Sequence, residues 1–167
     1  MRKLILAPIF GIILMAFTCT NRPEHELHAM MVYNFIKYIE WPSSEEEFRI
    51  AVIGDNEVYT TLKEWYGGKS RGGKKFNVVR FQSPDQYSAS HIVYFGSQSK
   101  EGLKSLKNKI GDESVLLITN KPGFGSLGSA INFKTVGNKL RFELNQRAVE
   151  SAGLKVSSQL SSMAILL

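Results

Sequence analysis

Three short stretches hold residue types that do chemistry in other proteins. Ser97-x-x-Lys100 has the spacing of a serine–lysine pair, in which an amine takes the proton of a nucleophilic hydroxyl. That pair works with SxN and KTG elements. Here Lys134-Thr135-Val136-Gly137 departs from KTG and no SxN lies between, so the spacing predicts a helix-capping serine beside a surface lysine. His25-Glu26-Leu27-His28 places two imidazoles three residues apart, where a zinc-binding helix uses four. Only Glu24 is near enough in sequence to add a ligand, so a solvated helix start is expected. Gly123-x-Gly125-x-x-Gly128 matches a dinucleotide-binding fingerprint on paper. A pyrophosphate needs the amides of a helix directly after those glycines. The run Ser129–Phe133 that follows reads as a strand, which makes the match a flexible loop. His91 opens a strand and reads as a packed or edge histidine. No Ser–His–Asp set assembles, so the sequence assigns no catalytic residue, no cofactor and no metal site, and the expectation is a protein that is not an enzyme.

The elements that would position these residues alternate between helix and strand. Apolar steps of three and four predict a helix over 24–39, with Leu27, Met30, Met31, Phe35 and Tyr38 recurring and Trp41-Pro42 stopping it. FRIAVI at 48–53 is a buried strand, followed by a helix over 56–65. The glycine-rich run with Lys69, Arg71, Lys74 and Lys75 is a solvated hairpin or mobile loop. Strands are expected at 76–81, 91–95 and 114–119, with a turn at Ser83-Pro84-Asp85 and a helix over 100–109. The last third reads as an antiparallel hairpin, 130–133 and 139–144, turning at Gly137-Asn138. Asn145 caps a helix over 146–152 that ends at Gly153, and Leu154–Leu167 is a second amphipathic segment. The fold class expected is therefore α/β: a single-domain sandwich with a mixed β-sheet flanked by helices, closing in a β-hairpin and helices.

Composition and the N-terminus narrow the function classes. With 167 residues, 43% hydrophobic and 22% charged, the chain has the size and balance of one globular domain. A single cysteine excludes a disulfide framework and an all-cysteine metal site. Arg2 and Lys3 precede an apolar run, Leu4–Phe17, inside the range of a signal peptide and short for a membrane span. Residues 1–20 are read as that export signal and residues 24–167 as the exported domain. Cys19 is either lost with the leader or lipidated as in a lipoprotein. Either way the folded domain has no thiol. The net charge of +6 is mostly scattered, and an exported chain does not meet cytoplasmic nucleic acid, so none is expected as a partner.

Aromatic residues carry more information than the polar ones. Tyr33, Phe35, Tyr38 and Trp41 crowd one helix and its end, and at 100° per residue they do not share a face. Phe35, Ile36 and Ile39 are expected inward, with Tyr33 and Tyr38 at the margin. Tyr33, Tyr38 and Trp41 then form a candidate patch for a protein partner. On the closing strand Arg141 and Glu143 alternate with Phe142 and Leu144, so that the charged pair faces solvent or an interface.

Two stretches resemble a known family. YNFIKYIEWP (Tyr33–Pro42) followed by FRIAVIGD (Phe48–Asp55), and INFKTVGNKLRFELNQRAVESAGLKVSSQL (Ile131–Leu160), are similar to the opening and closing motifs of the YfiR family of small exported bacterial proteins. Within these motifs Phe35, Pro42, Phe142, Asn145, Gly153, Ser157 and Ser158 read as fold-holding. The resemblance implies a periplasmic α/β domain that forms a homodimer and does no catalysis. It implies binding to the periplasmic sensor region of a membrane diguanylate cyclase, or another envelope sensor, which is held inactive. Cyclic di-GMP output and biofilm formation then fall. The better-known members carry cysteine pairs in the folded domain; this chain has none, so a redox switch is not implied. A periplasmic small-ligand-binding module, with Trp41 or Trp65 lining a cleft, is the alternative, and a hydrolase using Ser97 and Lys100 is a third.

Overall fold

A computed structural model describes residues 22–42, 46–71, 73–96 and 99–167. The expectations on Cys19, the leader and Ser97 lie outside the described residues. The chain runs α1 (Glu24–Tyr38), β1 (Ile39–Glu40), β2 (Glu47–Ile53), α2 (Asn56–Tyr66), β3 (Ser70–Arg71), β4 (Lys74–Phe81), a 3-10 turn (Pro84–Gln86) and β5 (Ile92–Phe95). It continues through α3 (Lys100–Ile110), β6 (Leu116–Thr119), β7 (Ile131–Val136), β8 (Lys139–Leu144), α4 (Gln146–Ser151), β9 (Lys155–Val156), α5 (Ser158–Met163) and β10 (Ile165–Leu166).

Eight strands form one mixed sheet in the order β10-β8-β7-β6-β5-β2-β4-β3. The neighbours β4, β2, β5, β6 and β7 are parallel, and β8 returns antiparallel through the two-residue turn Gly137-Asn138. The central strands read as unbroken apolar runs because both faces are covered. Alternate residues divide them. Ile50, Val52, Ile92, Tyr94, Leu116, Ile118, Ile131 and Phe133 face α1, α2, α4 and α5. Ala51, Ile53, Val93, Phe95 and Leu117 face α3, whose Leu103, Leu106 and Ile110 cover them.

The fold class agrees with the sequence reading; several details depart from it. Helix α1 ends at Tyr38, before Trp41-Pro42 could stop it. The reason is tertiary: Ile39 and Glu40 pair antiparallel with Val156 and Lys155, and the Ser157 amide donates to the Tyr38 carbonyl. That pairing makes β9, and the pairing of Ile165 and Leu166 with β8 makes β10, so the expected amphipathic segment 154–167 divides into β9, α5 and β10. Thr135 and Val136, outside the expected strands, extend β7 up to the two-residue turn at Gly137-Asn138. The basic glycine-rich run, by contrast, takes the first of its two expected readings: it is a hairpin, with β3 antiparallel to β4. The capping serine ahead of α3 is Ser99, whose hydroxyl accepts from the Gly102 amide, and Lys100 is exposed at the helix start. The segment 120–129 is also no loose loop, since Phe124 and Ser129 are buried within it.

The caps of the last two helices lie where the sequence puts them. Asn145 Oδ1 accepts from the Ala148 amide and Ser157 Oγ from the Leu160 amide. Ser158 opens α5 and is exposed. Gly153, at φ +68°, turns the chain out of α4. Asp55 caps α2 by accepting from the Val58 amide at 3.0 Å. An Asp55→Ala variant is expected to lose about 1 kcal/mol, the usual value of such a cap. Urea unfolding checks this, and an unchanged midpoint would contradict it.

Candidate functional site

The parallel part of the sheet has the topology that makes a crevice at its carboxyl ends. Helix α2 follows β2 onto one face and α3 follows β5 onto the other, so the chain leaves neighbouring strands in opposite directions. Polar residues gather at this end of the sheet.

A transverse polar row crosses three strands there. Thr119 on β6 stands opposite Asn132 on β7, which stands opposite Glu143 on β8. All three lie on the face opposite the main core. The Thr119 hydroxyl lies 2.7 Å from Asn132 Oδ1 and 2.8 Å from Ser129 Oγ. Asn132 Nδ2 donates to Glu143 Oε2 at 2.9 Å, and Lys134 Nζ donates to Glu143 Oε1 at 2.9 Å. Asn132 is 2% and Glu143 8% exposed. Burial raises the Glu143 pKa, but the two donors outweigh it and hold the carboxyl below the usual range. The segment 122–128 lies over this row. A side chain at Gly125 would meet Glu143 Oε2 at 2.9 Å and Leu167 Cδ1 at 2.6 Å, so glycine lets the backbone approach. Asn145, besides capping α4, donates from Nδ2 to the Gly125 carbonyl and pins that segment down.

The row opens into a groove of about 370 Å³ lined by Glu24, Asn120, Asn132, Lys134 and Glu143, among others. Asn120 Oδ1 is buried there with no hydrogen-bond partner. The groove offers carboxylate and amide acceptors and one ammonium, a set suited to holding a polar group.

Beside it lies a buried imidazole. His28 is 2% exposed, stacked on Phe133 at 4.3 Å, and shares a hydrogen bond of 2.8 Å between Nδ1 and the Tyr94 hydroxyl. Its Nε2 lies 3.4 Å from Glu24 Oε1 without making a hydrogen bond. Burial first, and the neighbouring His25 second, push its pKa down to about 4. The solvated helix start expected for the pair is therefore wrong for His28: its position on α1 turns it onto the sheet. His25 turns aside to Glu57 at 3.4 Å.

The residues picked out from the sequence lie in three separate places. Tyr33 stacks on Tyr66 of α2 at 4.1 Å with an interplanar angle of 1°. Tyr38, partly buried, packs at the end of α1, while Phe35 is buried against Phe133 and Phe142. Trp41 donates from Nε1 to the His91 carbonyl and sets its ring edge-on to Phe48 at 4.9 Å, and Pro42 beside it is exposed. Arg141 and Glu143 share a face of β8, but only Arg141 is exposed. Glu143 is buried beneath the Gly125 segment at the margin of the groove. Neither Trp41 nor Trp65 lines the groove at the strand ends. Sequence reasoning missed Thr119, Asn120, Asn132, Tyr94 and the burial of His28. The available signal was polarity at inward-facing strand positions, Thr119 ending LLIT and Asn132 inside INF.

A family model described as YfiR/HmsC-like matches residues 25–165. Among solved structures, the ABC domain in complex with L-Trp from Streptococcus pneumonia is similar in fold. Its TM-score is 0.57 at 5% identity, over 85% of this chain and 59% of that one. A conserved domain protein from Vibrio cholerae O1 biovar El Tor gives a TM-score of 0.51 at 10% identity, over 86% of this chain and 60% of the other. The chain thus spans about three-fifths of the length of each, and at these identities the likeness is one of fold.

Proposed function

We propose, from the premise that this chain belongs to the YfiR/HmsC-like family, that it binds the periplasmic sensor region of a membrane diguanylate cyclase and holds that enzyme inactive. The family is one of periplasmic regulators of diguanylate cyclase signalling. The observation that carries the reading is the extent of the match, residues 25–165, which takes in both the opening and the closing motif. In this reading residues 1–20 are an export signal, Cys19 is lost or lipidated, the working form is a homodimer, and the protein makes and breaks no bond. Tyr33, Tyr38, Trp41 and Arg141 are proposed as contacts with partners.

Inhibition of this kind is a population shift: the regulator binds the inactive sensor more tightly than the active one. A hundredfold suppression needs a differential affinity of about 2.7 kcal/mol, within the means of an ordinary protein interface. Deleting the gene should raise cellular cyclic di-GMP, and the purified protein should lower the activity of the reconstituted cyclase. Unchanged cyclic di-GMP on deletion, with no cyclase co-purifying from envelope extracts, would overturn the reading.

A second reading, a periplasmic small-ligand module, is favoured by one observation: the groove at the strand ends with the unpartnered Asn120 Oδ1. A metabolite that raises the melting temperature, and no longer does so in an Asn120→Ala variant, would support it. A flat response across polar metabolites removes it.

A further inference from the structure

One edge of the large sheet is open to another strand. β10 covers the outer side of β8 only at Glu143 and Leu144, so among the described residues 139–142 have no strand beside them there. The ladder decides which backbone groups are on offer. The Asn145 amide donates to the directly opposed Ala130 carbonyl. With this register the hydrogen-bonded pairs between β7 and β8 are 132 with 143, 134 with 141 and 136 with 139. Leu140, opposite Thr135, falls in a pair without such bonds. Its N–H and C=O point away from β7, as does the N–H of Phe142. Leu144 has the same parity, and its outward carbonyl does accept from the Leu167 amide of the covering strand.

Exposed apolar side chains occur near both ends of β8. Five large apolar side chains are exposed among the described residues. Four of them are Val136, opposite Lys139 at the end of β7, Met163 at the end of α5, Leu166 in β10 and Leu167 after it. Arg141 lies along the edge too, with its guanidinium 3.4 Å from the Met163 carbonyl.

Charge chooses the occupant. A second copy pairing antiparallel through β8 would set Lys139 and Arg141 against the same residues of its mate, and like charges directly opposed are destabilising. Pairing β8 with the far edge of another copy fares no better. β3 lies in the run that carries Lys69, Arg71, Lys74 and Lys75. Basic edges of this kind block self-association and leave the backbone groups to a segment of opposite charge.

We propose that the outer edge of β8 is a strand-addition site for an extended acidic segment of a partner protein. Asp or Glu at alternate positions of that segment meets Lys139 and Arg141, and the intervening apolar residues lie beside Leu140, Met163 and Leu166. Only the identity of the partner rests on the regulatory reading above; the site itself does not.

The test uses a labelled ten-residue peptide alternating Glu with Val and Ile, and its Lys-for-Glu counterpart. The acidic peptide should slow hydrogen exchange at the Leu140 amide at least tenfold and shift the Leu140 and Phe142 resonances, with binding weakened by salt; the lysine peptide should do neither. Leu140→Pro removes the outward N–H without breaking a bond to β7, so it should weaken acidic-peptide binding at least tenfold. A Lys139→Glu/Arg141→Glu double variant keeps every backbone group and should move the preference to the lysine peptide. Resonance shifts confined to other regions overturn the proposal. So does undiminished binding by both variants, or a dimer of the protein alone that protects the Leu140 amide. A Leu140→Pro protein that loses the peptide yet still restrains cyclic di-GMP supports the site and removes only its link to the cyclase.

Discussion

Glu143→Ala is expected to destabilise the fold by about 3 kcal/mol, because it breaks a buried pair from one side. Asn132 Nδ2 donates to Glu143 Oε2 at a position 2% exposed, and no other acceptor for it appears among the described residues. Lys134 loses its carboxylate at the same time. Half of the Lys134 side chain is solvated, so water compensates that partner, and the cost falls mainly on Asn132. Glu143→Gln keeps an oxygen for Asn132 and gives up the ionic contact. It should therefore cost only about 1 kcal/mol, as an ordinary hydrogen bond or partly exposed ion pair does. Urea unfolding of the three proteins measures both differences. If alanine and glutamine prove equally costly, the buried amide is not what Glu143 supports.

The second large effect is a loss of stability in acid to which His28 makes a separable contribution. His28 has a folded pKa of about 4 against an ordinary value of 6.5. Between those values the unfolded chain holds a proton on this imidazole and the folded chain does not, so stability rises with pH across that window. The contribution is complete above pH 6.5, declines as pH falls toward 4, and is spent below it. A depression from 6.5 to about 4 corresponds to about 3 kcal/mol. Glu143, whose folded pKa is also depressed, adds a loss of the same sign as pH falls through its own folded value. His28→Phe separates the two, since an aromatic ring stays beside Phe133 and no imidazole remains to titrate. Denaturation curves from pH 8 to pH 4 should show a shallower fall for that variant. Parallel curves for the two proteins would show that His28 does not carry the dependence.

Much of the architecture was readable because it is local. Apolar runs of four to seven residues bounded by Gly-Asp or Ser-Pro gave the central strands. Asn145, Gly153 and Ser157 marked helix ends by chemistry confined to a few neighbouring residues. The closing motif from Ile131 to Leu160 likewise pointed to the family that the match over 25–165 establishes.

The polar row was not readable, because its members lie far apart in the chain. Thr119, Asn132 and Glu143 meet only when β6, β7 and β8 take their register. Along β8 alone, Glu143 has the alternation of an outward-facing residue. Nothing in its neighbours tells that residues 122–128 fold across it.

What the sequence determined by itself was therefore the class of fold, the Asn145 cap, the six longer strands of the sheet and the family. These rest on periodicity and on interactions within one turn or one strand. Tertiary structure alone decided that α1 stops at Tyr38, that Leu154–Leu167 divides into three elements, that His28 is buried, and that among the described residues no strand lies beside the outward groups of Leu140. Each depends on which distant segment lies alongside, and that is settled by the free energy of the whole packed sheet.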